Sequence, residues 1–166
     1  MKLPKYSSSL REPEIQAYWE DNEFYKQDIN DVKSDDNTYT IDLPPPTLSG
    51  DMHIGHAFSY AKGDIIARFQ RLQGKKVLYK FGTDDNGIPT EHLVEKEHGV
   101  KATSMSRKEF TALCEETVQD KIERFTRSWK KLGISADFDS PYSTLDANSR
   151  SISQRSFLDL YQKGFL

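Results

Sequence analysis

The chain has 166 residues and a formal net charge of −3, with 30% charged and 36% hydrophobic residues. This is the length of one ordinary domain, and the negative charge excludes a general electrostatic attraction to nucleic acid, which would need a local basic patch. No apolar run approaches the roughly 20 residues that span a bilayer. Residues 1–10 lack the pattern of a secretory signal, and the single Cys114 excludes an internal disulfide. We therefore expect a cytoplasmic protein.

The predicted elements alternate between strands and helices. Apolar spacing and helix-ending residues predict, in chain order, a helix over 12–24, a strand over 38–43, a helix over 53–73, a strand over 77–81, and helices over 89–98, 106–132 and 147–163. Residues 28–37 and 134–144 are predicted loops. The strand–helix–strand unit implies parallel pairing through a right-handed crossover. Two strands alone are marginal in water, so we predict an α/β fold with an incomplete sheet.

The stretch from Pro44 to His56 joins the first predicted strand to the following helix. A helix start presents free N–H groups and the positive end of the helix dipole to an anion. His53 and His56 share one helix face and can reach the same phosphate chain. Gly55 between them leaves a patch without a side chain, where a flat base could lie against the backbone. Two histidines at a helix start can also be plain caps, so these residue types alone leave both interpretations open.

A second polar turn, Gly82 to Gly87, follows the second predicted strand. It contains Asp84, whose carboxylate can receive an ammonium group through a charge-assisted hydrogen bond. Open α/β sheets place their ligands at the carboxyl ends of their parallel strands. Aspartate is also common in turns for purely structural reasons, so a turn-stabilising role for Asp84 remains an alternative.

The tetrapeptide from His53 to His56 reads His-Ile-Gly-His and resembles the first signature of class I aminoacyl-tRNA synthetases. The lead-in from Pro44 to Gly50 resembles the valyl members of that family in particular. The resemblance covers nearly the whole chain from about Glu12. Three further runs carry it: 82–91, 129–135 and 157–164.

The resemblance implies the N-terminal half of a Rossmann-type nucleotide-binding catalytic domain, with parallel strands, crossover helices and an incomplete sheet. Residues 1–37 are then expected to be an N-terminal helical extension packing on that domain. Residues 38–166 would be its first half, ending where the family inserts its editing domain. The family's second signature, Lys-Met-Ser-Lys-Ser, does not occur in these residues. We therefore expect the chain alone to be weak or inactive in adenylate formation, and of limited stability.

The implied activity is ATP-dependent activation of valine and its transfer to tRNA, with Mg²⁺ accompanying the phosphates. His53 and His56 are the predicted catalytic residues, because they can donate hydrogen bonds to phosphate oxygens. Thr47 and Gly55 complete the predicted ATP-binding set with the same two histidines. Thr47 can donate its hydroxyl to the phosphate chain, although it can equally serve only to end the proline loop.

The implied amino-acid site consists of Asp84 with Pro45 and Pro46. Asp84 would bind the α-ammonium group, and the prolines would fix the backbone whose carbonyls point at it, since proline locks φ. Isoleucyl and leucyl enzymes remain alternatives, because a methylene group is worth only about 1–3 kcal/mol in a pocket. A free-standing ATP-binding module without ligase activity is the alternative from another class. No oligomeric state and no membrane partner is predicted.

Two further patterns are weaker. Residues 104–108 echo the Lys-Met-Ser-Lys-Ser signature without its first lysine, and they lie at a helix start, where serines act as caps. His92, Glu95 and His98 do not have the spacing of the His-Glu-x-x-His metal motif, so we predict a hydrated helix face and no metal.

Several charged residues have no firm assignment. A basic stripe at helical spacing could contact tRNA phosphates, but a solvated face is the simpler interpretation. It consists of Lys121, Arg124, Arg127 and Lys131. The signature region also leaves Asp85, Asn86 and Glu91 without roles, although Glu91 suits a partner of a helix dipole.

Overall fold

The computed structural model describes residues 5–28, 37–48 and 50–166. Helices and strands alternate along the chain, as predicted. The elements are α1 (Ser8–Asp21), β1 (Thr38–Ile41), α2 (Ile54–Leu72), β2 (Lys76–Thr83), α3 (Ile88–His98), a one-turn 3₁₀ helix (Ala102–Ser104), α4 (Arg107–Leu132), β3 (Asp137–Ser143) and α5 (Ala147–Gln162). Helix α1 is shifted toward the N-terminus relative to its predicted range. The predicted loop over 28–37 lies almost wholly outside the described residues.

The strands form one open sheet of order β1-β2-β3. β1 and β2 pair in parallel, with Thr38 opposite Lys76 and Ile41 opposite Tyr79. Helix α2 connects these two strands, so the predicted strand–helix–strand unit is confirmed. Gly63 of α2 leaves no room for a larger residue, because an added Cβ would lie 2.5 Å from the Leu43 side chain.

The prediction of only two strands was wrong, because β3 lies inside the predicted loop over 134–144. Its sequence contains Pro141 and a mixture of aspartate and serine, residues that strands usually avoid. β3 stands at an edge of the sheet order, and edge strands tolerate proline. Polar contacts hold the chain just before it: Asp64 Oδ1 accepts hydrogen bonds from the Ser135 backbone N–H and hydroxyl, both 2.6 Å long. These contacts replace the apolar alternation that would have predicted a strand.

The chain divides into two compact units. The first comprises residues 1–43, 52–80 and 124–140, and the second comprises 44–51, 81–123 and 141–166. The core of the first unit contains Ala67, Val77, Tyr79, Phe125, Trp129, Ile134 and Ala136. The core of the second contains Leu48, Phe81, Val94, Phe110 and Val118.

Two helices present apolar side chains to solvent. In α2, Ile54 is 84% exposed and Leu72 is 83% exposed. In α5 every residue except the half-buried Ser149 is exposed, including Phe157 and Leu158. Burying apolar side chains contributes most of the stability of a folded domain, and these exposed side chains make no such contribution; the limited stability of the chain remains a prediction. Within the described ranges, no helix combines the length and the apolar character needed to cross a membrane.

Candidate functional site

The two signature histidines form a reciprocal pair at the start of α2. His53 is the N-cap residue, with extended backbone angles. The His56 N–H donates to His53 Nδ1, and the His53 N–H donates to His56 Nδ1, both at 3.4 Å. The two rings stack, with centroids 3.8 Å apart and planes 17° from parallel. A neutral imidazole whose Nδ1 accepts a hydrogen bond carries its proton on Nε2, so each ring keeps one N–H donor for a ligand.

The electrostatics of this helix start favour an anion. The first turn of α2 contains no acidic residue, so no carboxylate there competes for the free N–H groups and the dipole. Burial lowers the pKa of His56 from its ordinary value of 6.5, and the neighbouring charge of His53 lowers it further. At neutral pH, His56 therefore acts as an uncharged hydrogen-bond donor.

Helix α4 packs aromatic rings against His56. The centroid of its ring lies 5.9 Å from that of Trp129 and 6.3 Å from that of Phe125. Trp129 is 0% exposed and Phe125 is 4% exposed. Tyr60, one turn along α2 from His56, stacks edge-on against Trp129 at 4.5 Å. Apolar spacing predicted the helix that contains Phe125 and Trp129, and the resemblance includes Trp129 in the run 129–135, but nothing in the residue types points to the histidine.

Gly55 has a more specific role than the predicted bare patch. A Cβ atom at this position would lie 3.1 Å from both Cε1 and Nδ1 of the His53 ring. That spacing is tighter than ordinary van der Waals contact, so any larger residue would displace the ring. Gly55 therefore permits the observed position of His53. Its predicted contact with a base remains a prediction.

The predicted amino-acid residues converge in the second unit. Thr47 and Asp84 form an isolated parallel bridge. The Asp84 N–H donates to Pro46 O at 2.9 Å, and the Leu48 N–H donates to Asp84 O at 3.0 Å. The Thr47 hydroxyl also donates to Asp84 Oδ2 at 3.5 Å. The structure thus brings Pro46, Thr47 and Asp84 together, and Pro45 directly precedes them.

Thr144, which sequence reasoning missed, completes the surroundings of Asp84. Its hydroxyl donates to Asp84 Oδ1 at 3.0 Å and accepts from the Asp85 N–H at 3.0 Å. Asn86 joins this group, because its side-chain amide donates to Thr144 O at 3.4 Å. Thr144 follows β3, the strand that was not predicted, so its contact with Asp84 could not be predicted either.

Asp85 is a structural residue of this site. It is 2% exposed, and its Oδ2 accepts hydrogen bonds from the hydroxyls of Thr83 and Ser143. It therefore ties the residues that end β2 to those that end β3. Glu91 lies in the first turn of α3, where a carboxylate is favoured by the helix dipole.

The weaker sequence patterns have structural explanations. His92 contacts Glu95 at 3.3 Å, whereas His98 contacts the Thr117 hydroxyl at 2.9 Å. Across the described residues, no three His, Cys, Asp or Glu side chains are grouped so that they could hold a metal ion. Ser106 and Glu109 form a capping box at the start of α4, whereas the Ser104 hydroxyl donates to Lys101 O at 2.7 Å.

The chain is similar to a family of tRNA synthetases and to individual members of it. Residues 14–166 match the family described as tRNA synthetases class I (I, L, M and V). The valine--tRNA ligase of Rickettsia felis is 46% identical over 98% of this chain and 19% of its own length. That of Wolbachia sp. subsp. Brugia malayi is 44% identical over 99% of this chain and 19% of its own. The chain therefore spans about a fifth of the length of these curated relatives.

A solved structure gives the same fold. The LeuRS of Agrobacterium radiobacter, crystallised in a ternary complex with tRNA and LeuAMS, matches with a TM-score of 0.73 and 27% identity. The match covers 96% of this chain and 18% of that one. This confirms a Rossmann-type α/β architecture with an open sheet. The family match, the identity to the relatives and the His-Ile-Gly-His helix start lead to one conclusion: the chain belongs to the class I tRNA synthetases.

Proposed function

We propose that this chain forms the first part of the activation site of a valine--tRNA ligase. The reaction is the ATP-dependent activation of valine, followed by transfer of the valyl group to tRNA. The observation that carries the proposal is the stacked pair of His53 and His56 at the start of α2, with one Nε2–H donor left on each ring. The choice of valine rests on the relatives, which are 44–46% identical to the chain over its length.

The chemistry needs positioning more than proton transfer. The carboxylate of valine attacks the α-phosphorus of ATP, the bond from that phosphorus to the bridging oxygen breaks, and pyrophosphate leaves. Because the carboxylate is already ionised, the protein has to align the groups and stabilise charge on the phosphates. His53 and His56 donate to phosphate oxygens, and Thr47 offers its hydroxyl. Mg²⁺ enters with the ATP phosphates as part of the substrate, and Gly55 leaves room for the base.

The α-ammonium group of the amino acid binds Asp84. A carboxylate that receives an ammonium forms a charge-assisted hydrogen bond, which is about twice as strong as a neutral one. Thr47 and Thr144 orient the two carboxylate oxygens. Pro45 and Pro46 hold the neighbouring backbone, whose carbonyl oxygens have a second lone pair for the same ammonium.

A leucyl or isoleucyl enzyme is the second candidate. The likeness to LeuRS favours it, although the 27% identity is lower than that to the valine--tRNA ligases. A pocket discriminates poorly between side chains that differ by a methylene group, by about 10–200-fold.

The organisation of the whole protein follows the same proposal. Residues 1–37 form an N-terminal extension, and residues 38–166 form the first half of the catalytic domain, followed in the longer protein by the editing insertion. The exposed apolar side chains of α2 and α5 then meet further parts of that protein. Transfer of the valyl group makes tRNA its macromolecular partner, and translation places it in the cytoplasm.

The deciding experiment is amino-acid-dependent exchange between ATP and pyrophosphate, measured on the full-length enzyme that carries these residues. We expect exchange with valine and little with isoleucine or leucine. His56→Ala should abolish most of it, whereas His92→Ala, which alters an exposed histidine of α3, should not. Exchange driven by leucine or isoleucine, and not by valine, would identify that amino acid as the substrate. Equal rates in the two histidine variants would contradict the phosphate role of His56.

A further inference from the structure

We infer that Trp129 is a positioning residue for the phosphate-binding histidines: with Phe125 it holds the His56 ring against His53, so that both Nδ1 atoms face the backbone and both Nε2–H groups are kept for the ligand. The inference rests on the proposed function, because it concerns how the same histidine pair is held. It extends the candidate site from the signature to α4, for which the sequence suggested only a basic stripe that could contact tRNA and a run, 129–135, without an assigned role.

The hydrogen bonds of the pair are too long to hold the rings by themselves. Both measure 3.4 Å, whereas N–H donors in proteins usually lie at about 2.7–3.2 Å from their acceptors. The rings of His53 and His56 nevertheless stack at 3.8 Å. Something besides these bonds must therefore fix the orientation of the imidazoles.

Ring packing from α4 supplies that constraint on one side. Trp129 meets His56 with planes inclined by 55° and Phe125 meets it edge-on at 86°. Both are almost fully buried, and Tyr60 packs edge-on against Trp129. Aromatic contacts of this kind are worth about 0.5–1.5 kcal/mol beyond the area they bury. A buried indole that is itself packed on a second ring has little freedom to move. Its contact with His56 therefore restricts the orientation of the imidazole.

The same packing keeps His56 uncharged. The rings that face it from α4 carry no charge, and among the described residues the titratable group stacked on it is His53. A protonated His56 would place an N–H on Nδ1, opposite the His53 backbone N–H that Nδ1 now accepts. Two donors facing each other repel, so protonation would open the pair. Trp129 thus couples the position of His56 to its protonation state.

Tryptophan fluorescence tests this coupling directly. The chain contains two tryptophans, so Trp19→Phe leaves Trp129 as the only indole of the 166-residue chain. An imidazolium in contact with an indole quenches its emission. Between about pH 5 and pH 8, the range in which histidine titrates, we expect the emission of Trp129 to fall as pH falls, with a midpoint below 6.5, the ordinary pKa of histidine. Adding His56→Gln should abolish the transition, and adding His53→Gln should keep it with a higher midpoint. A transition that survives His56→Gln, or none in Trp19→Phe, would overturn the inference.

Pyrophosphate exchange by the full-length enzyme tests the positioning role. Trp129→Phe should retain most of the activity, whereas Trp129→Leu should lower kcat by roughly 10²-fold, the effect of a misplacement of about 1 Å, with the KM for valine unchanged. Val77→Ala, at a buried position of β2, is the matched control for lost packing.

The outcomes separate the two proposals. No exchange in the unmodified enzyme contradicts the proposed function, while the fluorescence titration still decides the role of Trp129. If the unmodified enzyme catalyses exchange and kcat falls equally in Trp129→Leu and Val77→Ala, Trp129 is only a core residue. Should Trp129→Leu fail to fold by circular dichroism, Trp129→Phe and the titration, in which Trp129 is intact, decide the matter.

Discussion

The histidine pair and Asp84 are held in opposite ways. His53 and His56 exchange two long hydrogen bonds of 3.4 Å and depend on stacking and on aromatic packing. Asp84 is fixed by shorter directional bonds, from Thr144 to its carboxylate at 3.0 Å and from its own N–H to Pro46 O at 2.9 Å. A pair of N–H donors needs only a fixed position, whereas a carboxylate must keep both its charge and its direction. Disturbing one region should therefore look different from disturbing the other.

The largest effect is expected at Asp84. Asp84→Asn keeps the shape but removes the charge that we propose binds the α-ammonium, and it places an amide donor opposite the Thr144 hydroxyl. A hydrogen bond to a charged group contributes about 1.5–3 kcal/mol, so kcat/KM for valine should fall by roughly 10–10²-fold, mainly through KM. Steady-state exchange at varied valine measures this. Asp159→Asn, at an exposed residue of α5, is the matched control. A rise in the KM for ATP, with the KM for valine unchanged, would contradict the assignment.

The histidine region should respond to volume rather than charge. Gly55→Ala would bring a Cβ to 3.1 Å from the His53 ring, which must move. We expect roughly a 10-fold lower kcat with little change in the free energy of unfolding, because misplacement costs rate steeply. Gly63→Ala provides the contrast, since Gly63 is buried and its Cβ would lie 2.5 Å from the Leu43 side chain, so this change should lower stability instead. Urea unfolding and exchange rates together separate the two. Equal losses in the free energy of unfolding for Gly55→Ala and Gly63→Ala would contradict this difference between the two positions.

Thr144 tests whether direction matters at Asp84. Thr144→Val keeps the volume and removes the hydroxyl that bonds both Asp84 Oδ1 and the Asp85 N–H. One hydrogen bond is worth about 0.5–1.5 kcal/mol, so the KM for valine should rise by a few-fold up to about 10-fold. Thr144→Ser, which keeps the hydroxyl, should restore most of the affinity. An unchanged KM in Thr144→Val would mean that Thr47 orients the carboxylate alone.

The parts of the fold that follow a period were predictable, and β3 was not. The helices and the parallel unit from β1 to β2 have apolar residues at regular spacing, which determines both element type and pairing. β3 instead follows Ser135, which Asp64 holds by two hydrogen bonds, and it lies at a sheet edge. Interactions between residues so far apart in sequence leave no local pattern. The edge position also removes the apolar requirement that would have made the strand visible.

The candidate site divides along the same line. His53, His56 and Asp84 were predictable because their side chains carry chemistry and lie at a helix start or a strand end. Thr144 depends on β3, and Trp129 has the same residue type as any core aromatic. The candidate ligand-binding residues could therefore be predicted, as could Thr47 and Gly55 beside them, whereas the contacts of Thr144 and Trp129 could be found only from the structure.

The smallest effect concerns pH and the stability of the histidine region. Burial, and then the charge of His53, lower the pKa of His56 below 6.5 in the folded chain. The unfolded chain then binds a proton more readily, so stability rises with pH in this window. The contribution is complete above pH 6.5 and is lost as pH falls toward the folded pKa of His56. Because the ring is only partly buried, we expect a modest decrease in the urea midpoint of the 166-residue chain between about pH 7 and pH 5. The decrease should be smaller in His56→Gln and unchanged in His92→Gln. Identical pH profiles in all three proteins would mean that packing against Trp129 does not oppose protonation of His56. The contrast with Asp84 would then rest on geometry alone.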